Sequence, residues 1–168
     1  MTLKYGDKYT LSKSEQELIV GMAKDICSQD RSYFVKNYQV DKSLKLYDLN
    51  VNGFGAELAF CKLCDIEFDS TTIESENHFK KVDATLKNGI KVDVKNTKYK
   101  SGKLLVRIGK EAEPVDAYAL MIGTFPSFTF SGWAKSEQII NPSTIKDLGH
   151  GNGYVMTQNE LNKELKID

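Results

Sequence analysis

Asp83, Asp93 and Lys95 have the types and spacing of a hydrolytic metal centre. Paired carboxylates with open water positions suit Mg2+. A lysine beside them can hold a water or stabilise charge on a phosphate. Whether the three meet depends on how the chain turns at Lys87-Asn88-Gly89, between two strand-like segments. A two-residue Asn-Gly turn pairs Val82 with Lys95 and Ala84 with Asp93, mixing apolar and charged partners on each face. A three-residue loop with Gly89 in the left-handed position pairs Val82 with Val94, Ala84 with Val92 and Leu86 with Ile90. One face is then unbroken and apolar, and the other sets Asp83 opposite Asp93 and Lys81 opposite Lys95. This register is the one predicted. Directly opposed residues have Cβ atoms about 5 Å apart, so the two carboxylates repel unless a cation lies between them. The alternative for the same residues is an exposed hairpin face, alternating Asp and Lys for solubility.

Glu57 bears on that choice. It and Lys62 are the charged residues between Gly53 and Cys64 in an otherwise apolar helix, where an acid needs a partner. A metal site would provide one; an exposed edge of the helix is the alternative. Charge distribution adds a second observation. Ten basic residues lie between Lys80 and Lys110 against two acids, Asp83 and Asp93, a local charge of +8 in a chain whose formal net charge is zero. Such a patch can be an electrostatic footprint for phosphates or a solvated lysine-rich hairpin. Asn96, Thr97, Lys98 and Lys100 continue the strand beyond Lys95, with Thr97 on its face, and are candidates for the nucleic-acid backbone together with Lys81.

Several elements must position these residues. Ser14-Glu15-Gln16-Glu17 reads as a capping box, followed by Leu18, Ile19, Met22, Ala23 and Ile26 at helical spacing, which predicts a helix over about 14–28. A short strand is expected at 44–49, then a buried helix from Asn52 or Gly53 to about Asp65. From His78 the pattern changes to strands at about 79–86, 90–99, 104–108, 117–125 and 128–133. A short helix is expected after Trp133 and another within 158–166. There is little room for a helix between Gly109 and Asp116, and Gly149-His-Gly-Asn-Gly153 reads as a mobile loop.

The 168 residues fit one domain, with an N-terminal helical extension over 1–50, a catalytic core over 51–140 and a C-terminal loop and short helix over 141–168. No stretch reaches the roughly 20 apolar residues of a membrane helix. The polar start, Met1 to Thr10, lacks the apolar core of a secretory signal, so a cytoplasmic, intracellular location is expected. Three cysteines do not make a disulfide framework. Cys61 and Cys64 read as neighbours on an apolar helix face rather than as a metal or redox pair. Trp133 reads as a core residue, and His150 is a remote candidate for a general base.

At these residues the sequence resembles the PD-(D/E)XK nuclease superfamily, which has a restriction-endonuclease-like fold. The match is in order: a helical acid in Gly53-Phe-Gly-Ala-Glu57, an aspartate in Val82-Asp83, then Asp93-Val94-Lys95 on the next strand. It extends over about 53–135, including Phe130-Ser-Gly-Trp-Ala134. The order of the elements, helices first and then a run of strands, reads as an α/β arrangement with a central mixed sheet flanked by helices, and the resemblance implies that it is a restriction-endonuclease-like core. It also implies that Asp83 and Asp93 bind a catalytic Mg2+, with Mn2+ as a substitute. Lys95 would position the attacking water, and Glu57 would be a further carboxylate at the metal. Val82 stands where the name-giving proline often lies, and the helix between the third and fourth core strands is very short or absent. The expected activity is a DNA endonuclease, with a ribonuclease or a non-catalytic nucleic-acid-binding or assembly module as alternatives. The expected partner is nucleic acid rather than membrane, and a homodimer is left open.

Overall fold

A computed structural model of the chain describes residues 1–28, 46–73, 82–111 and 114–168. Lys81, the start of the strand expected at 79–86 and the first two residues of the one expected at 44–49 lie outside them.

The chain opens with two short strands, β1 (Thr2–Lys4) and β2 (Lys8–Thr10). The N-terminal extension is therefore not purely helical. Helix α1 follows at Lys13–Ser28, close to expectation. Its capping box lies two residues earlier than the sequence suggested. Ser12 N donates to Glu15 Oε2 at 2.8 Å and Glu15 N donates to Ser12 Oγ at 3.3 Å, satisfying two amides at the helix start. Glu15 is also anchored, 3.1 Å from Lys62 Nζ, on the second helix, α2 (Leu46–Leu63). Residues 46–49 are thus helical rather than extended.

A central five-stranded sheet carries the site. It runs in the order β2, then β7 (Ser127–Lys135), β6 (Ala117–Thr124), β4 (Lys91–Thr97) and β3 (Ala84–Thr85). The sheet is mixed: β4 and β6 are parallel, with Asp93 beside Tyr118 and Lys95 beside Leu120, and the other neighbours are antiparallel. A parallel pair needs a long crossover. Here that crossover contains a strand, β5 (Leu104–Arg107), and among the described residues no helix.

After β7 come a one-turn helix, α3 (Ser136–Ile139), and the strands β8 (Ile145–Asp147), β9 (Asn152–Met156) and β10 (Glu164–Lys166). β5, β9 and β8 form a second sheet, and β10 pairs with β1. The helix expected within 158–166 is replaced by a single 3-10 turn at Gln158–Glu160 and by β10. The glycine-rich segment expected as a loop is the turn of the β8–β9 hairpin and the start of β9.

Two apolar clusters hold the layers together. One lies between α1, α2 and one face of the central sheet and contains Ile19, Phe60, Val92, Val94, Phe128 and Phe130. The other joins Tyr118, Leu120 and Ala134 to Leu104, Val106 and Met156 of the second sheet. Alternation along a strand places neighbouring side chains on opposite faces, so β6 contributes to both clusters. α2 approaches β7 closely at Gly55, where a Cβ would stand 2.9 Å from two ring carbons of the fully buried Phe128. The protein is thus mixed α/β, with a mixed sheet flanked by helices. Among the described residues, no helix is long and apolar enough to cross a membrane.

Candidate active site: a carboxylate–lysine cluster beside a basic groove

The β3–β4 hairpin has the three-residue-loop register. Ala84 is paired with Val92, Leu86 N donates to Ile90 O at 2.9 Å, and Gly89 has φ +85°. A left-handed residue there closes the loop without the strain that a Cβ would bring. The pairing stops one step short of what the sequence suggested. Val82 does not continue the ladder opposite Val94; it packs against the second apolar cluster, whereas Val94 belongs to the first. In this alternating pattern the Val94 amide would next bond to Val82 O. Asp83 takes that place with its side chain, accepting from Val94 N at 2.7 Å.

Asp93 and Lys95 project from β4, and Lys95 Nζ lies 2.5 Å from Asp93 Oδ1. Despite that proximity, the buried Asp93 Oδ1 has no aligned hydrogen-bond donor. Lys95 Nζ is also 5.9 Å from the centre of the Tyr118 ring, a distance at which the cation is attracted by the ring face. Glu57 reaches the same neighbourhood from α2. Burial pushes the Glu57 carboxyl well above its ordinary range, and the charges of Asp83 and Asp93 push it further, against a smaller opposing pull from Lys95. Burial and the charge of Asp93 raise Asp83 to about 7, opposed by Lys95 and by the Val94 hydrogen bond. Burial works to deprotonate Lys95, but Asp93 and Asp83 outweigh it and hold its pKa above the usual lysine value. Lys95 is therefore a cation at neutral pH rather than a proton acceptor.

Hard oxygen donors are what Glu57, Asp83 and Asp93 offer to a cation, and Asp93 Oδ1 already faces one, the Lys95 ammonium. As the side chains are placed, no three metal-ligating groups among the described residues stand close enough to share one ion.

The cluster lies between two concavities. Asp83 lines one of about 550 Å³ that also includes Glu67 and Asp69. Lys95 lines the other, a groove of about 650 Å³ between the first half of α2, the end of β4 and β5. Asn96, Thr97 and Lys98 line it as well, whereas Lys100 does not. β4 ends at Thr97, so Lys98 and Lys100 belong to the following turn rather than the strand. That turn is packed hard against β4: a Cβ on Gly102 would stand 2.2 Å from Thr97 Cγ2. Asn96 has a structural duty too, donating from Nδ2 to Met121 O and Gly123 O at 3.2 Å each. Sequence reasoning missed Tyr99, Lys103 and Arg107 as groove residues. Their signal was the basic window itself, but only the fold-back of β5 brings them beside Lys95.

Other candidates take ordinary places. Cys61 and Cys64 are buried, and burial pushes both thiols up to about 12. Trp133 packs against the first cluster and donates from Nε1 to Glu164 O at 2.7 Å. His150 is exposed in the β8–β9 turn.

Fold and site together define a mixed α/β protein with a protonated lysine at the wall of a basic groove and three carboxyls whose charges act on one another and on that lysine. Residues 2–125 match a family of unknown function (DUF5843), and the chain belongs to that family. Glu57, Asp83, Asp93 and Lys95 all fall within the matched span. No curated protein and no solved structure matches the chain.

Proposed function

We propose that the protein is a metal-dependent nuclease that hydrolyses phosphodiester bonds, with DNA as its substrate. The observation that carries this reading is the gathering of three mutually repelling carboxyls around one protonated lysine, next to a groove lined by cations. Such a cluster is unfavourable without a function that uses it. Asp83 and Asp93 are the residues to hold Mg2+ or Mn2+, with Glu57 as a further carboxylate. When bound, the metal supplies Lewis acidity at the phosphate and lowers the pKa of water. Lys95 donates to a non-bridging phosphate oxygen or to the attacking water and offsets charge developing on the phosphate. Asp83, tied to the Val94 amide, is fixed in place before substrate arrives.

A restriction-endonuclease-like core is supported by the mixed sheet, by the position of Asp93 and Lys95 inside it, and by α2 presenting Glu57 behind them. The crossover without a described helix is a departure from it. The test is incubation with supercoiled plasmid, linear duplex, single-stranded DNA and RNA in Mg2+, Mn2+ or EDTA. Metal-dependent cleavage should fall by about 10²–10³-fold in Asp93→Ala and Lys95→Ala. Undiminished cleavage by Asp93→Ala would overturn the assignment.

A second reading, a nucleic-acid-binding module without catalysis, is favoured by one observation: the three carboxyls do not stand close enough to share an ion. Its signature is tight binding with no cleavage of any of these substrates.

A further inference from the structure

The groove beside Lys95 contains more than a phosphate track requires. Its walls include the apolar side chains Leu49, Val94 and Leu105, and Tyr99 stands at its rim, 56% exposed. Among the described residues, four cations line it, Lys95, Lys98, Lys103 and Arg107, and no Asp or Glu does. Lys98 Nζ lies 5.1 Å from the centre of the Tyr99 ring, so charge and aromatic face are presented together.

Positive charge alone suits any nucleic acid, duplex included. An aromatic ring and an apolar wall add something that a duplex cannot use, because each paired base has both faces covered by its neighbours in the stack. A base on a single strand, an overhang or a branch has a free face to stack on an aromatic side chain. The groove volume, about 650 Å³, lies within the range of small-ligand pockets, roughly 300–1,000 Å³. That scale matches individual nucleotides rather than a helix. The turn that carries Tyr99 is braced at both ends. Gly102 packs on Thr97, and Gln158 Nε2 donates to Lys100 O at 2.7 Å and to Gly102 O at 2.8 Å. A stacking platform on a braced turn loses little freedom when a base lands on it.

We propose that this groove binds unpaired nucleotides, with a base stacked on Tyr99 and flanking phosphates held by Lys98, Lys103 and Arg107. It therefore directs the site to single-stranded, overhanging or branched nucleic acid. The inference rests on the nuclease reading for what happens at Lys95, but the binding itself does not depend on cleavage.

The test separates the two. Fluorescence anisotropy in EDTA measures binding of a labelled single-stranded oligonucleotide, a blunt duplex of the same sequence, a duplex with an overhang, and an RNA strand. Single-stranded and overhang substrates should bind more tightly than the blunt duplex. Tyr99→Ala should weaken them by about tenfold or more, with Tyr99→Phe close to the parent. Replacing Lys103 and Arg107 with Gln should reduce the slope of log affinity against log salt by about 1.4, near 0.7 for each lost phosphate contact on a single strand. Circular dichroism of each variant checks that the fold is retained. Blunt duplex bound as well as single strand, or Tyr99→Ala binding like the parent, overturns this inference and leaves metal-dependent cleavage to be judged by Asp93→Ala. Tyr99-dependent binding without cleavage of any substrate supports the groove while overturning the nuclease. RNA bound as tightly as DNA widens the substrate class without changing the role of the ring.

Discussion

Asp83 makes the pH behaviour of the site testable without substrate. Its carboxyl has a pKa of about 7 in the folded chain against 3.8 for an ordinary aspartate, with burial and Asp93 as the causes. The folded state therefore binds a proton more tightly than the unfolded state. Stability contributed by this group is fully present below about pH 4 and falls as pH rises towards 7, as the unfolded state loses the proton first. The melting temperature of the protein in EDTA should drop between pH 5 and 8, with a shallower drop in Asp83→Asn. Saturating Mg2+ should recover more of the loss at pH 8 than at pH 5, since ligating carboxylates must be deprotonated. A flat profile shared by the parent and Asp83→Asn would contradict the buried like-charge cluster. At this scale the sequence was informative. Alternation of apolar residues around Asn88-Gly89 singled out one register, and Ala84 beside Val92 follows it. What alternation could not reveal was the departure at Val82. That side chain leaves for a second core formed with strands from the far end of the chain.

Among the elements, α2 matters most because it carries Glu57 and is locked to β7 at Gly55. Gly55→Ala tests that seating with two effects of opposite sign. Alanine favours a helix interior over glycine by about 1 kcal/mol. Against this, the new methyl meets Phe128 at 2.9 Å in a fully buried environment, and overpacking of that kind costs about 1–3 kcal/mol. The variant should be less stable in urea denaturation, and the proposed metal-dependent cleavage should slow as well if the helix shifts Glu57. A more stable Gly55→Ala would show that α2 is free to move. The start of α2 was hidden from sequence reasoning by Asn50, Asn52 and Gly53, weak helix formers that packing on the sheet overrides. The tail misled in the opposite way. Leu161 and Leu165 have helical spacing, yet Leu165 and Ile167 are buried at strand spacing beside β1, a partner more than 150 residues away.

For the whole molecule, the family match and the fold have different limits. The match ends at residue 125, whereas β7 begins at Ser127 and lies between β2 and β6 inside the central sheet. A chain cut after residue 125 loses an interior strand of the central sheet and, from the second sheet, β8 and β9, which leaves β5 without a partner and removes Tyr154 and Met156 from the cluster around Tyr118 and Leu120. It should show no cooperative thermal transition by circular dichroism, whereas a sharp melt would mean that the first cluster folds alone. The sheet order also explains why composition and periodicity revealed the class of fold but not its connections. The β4–β6 pairing is parallel and its crossover bears a strand, neither of which leaves a mark on local sequence pattern.

The bond between Asp83 and the Val94 amide gives this protein a spectroscopic handle. A sheet amide that donates to a backbone carbonyl has an acceptor whose charge does not change with pH. The Val94 amide donates to a side chain that does titrate. Its proton resonance should shift as pH passes through neutrality, move again as a divalent cation is added, and hold still in Asp83→Asn. Protonation and metal loading could thus be followed at one nucleus, with no substrate in the tube.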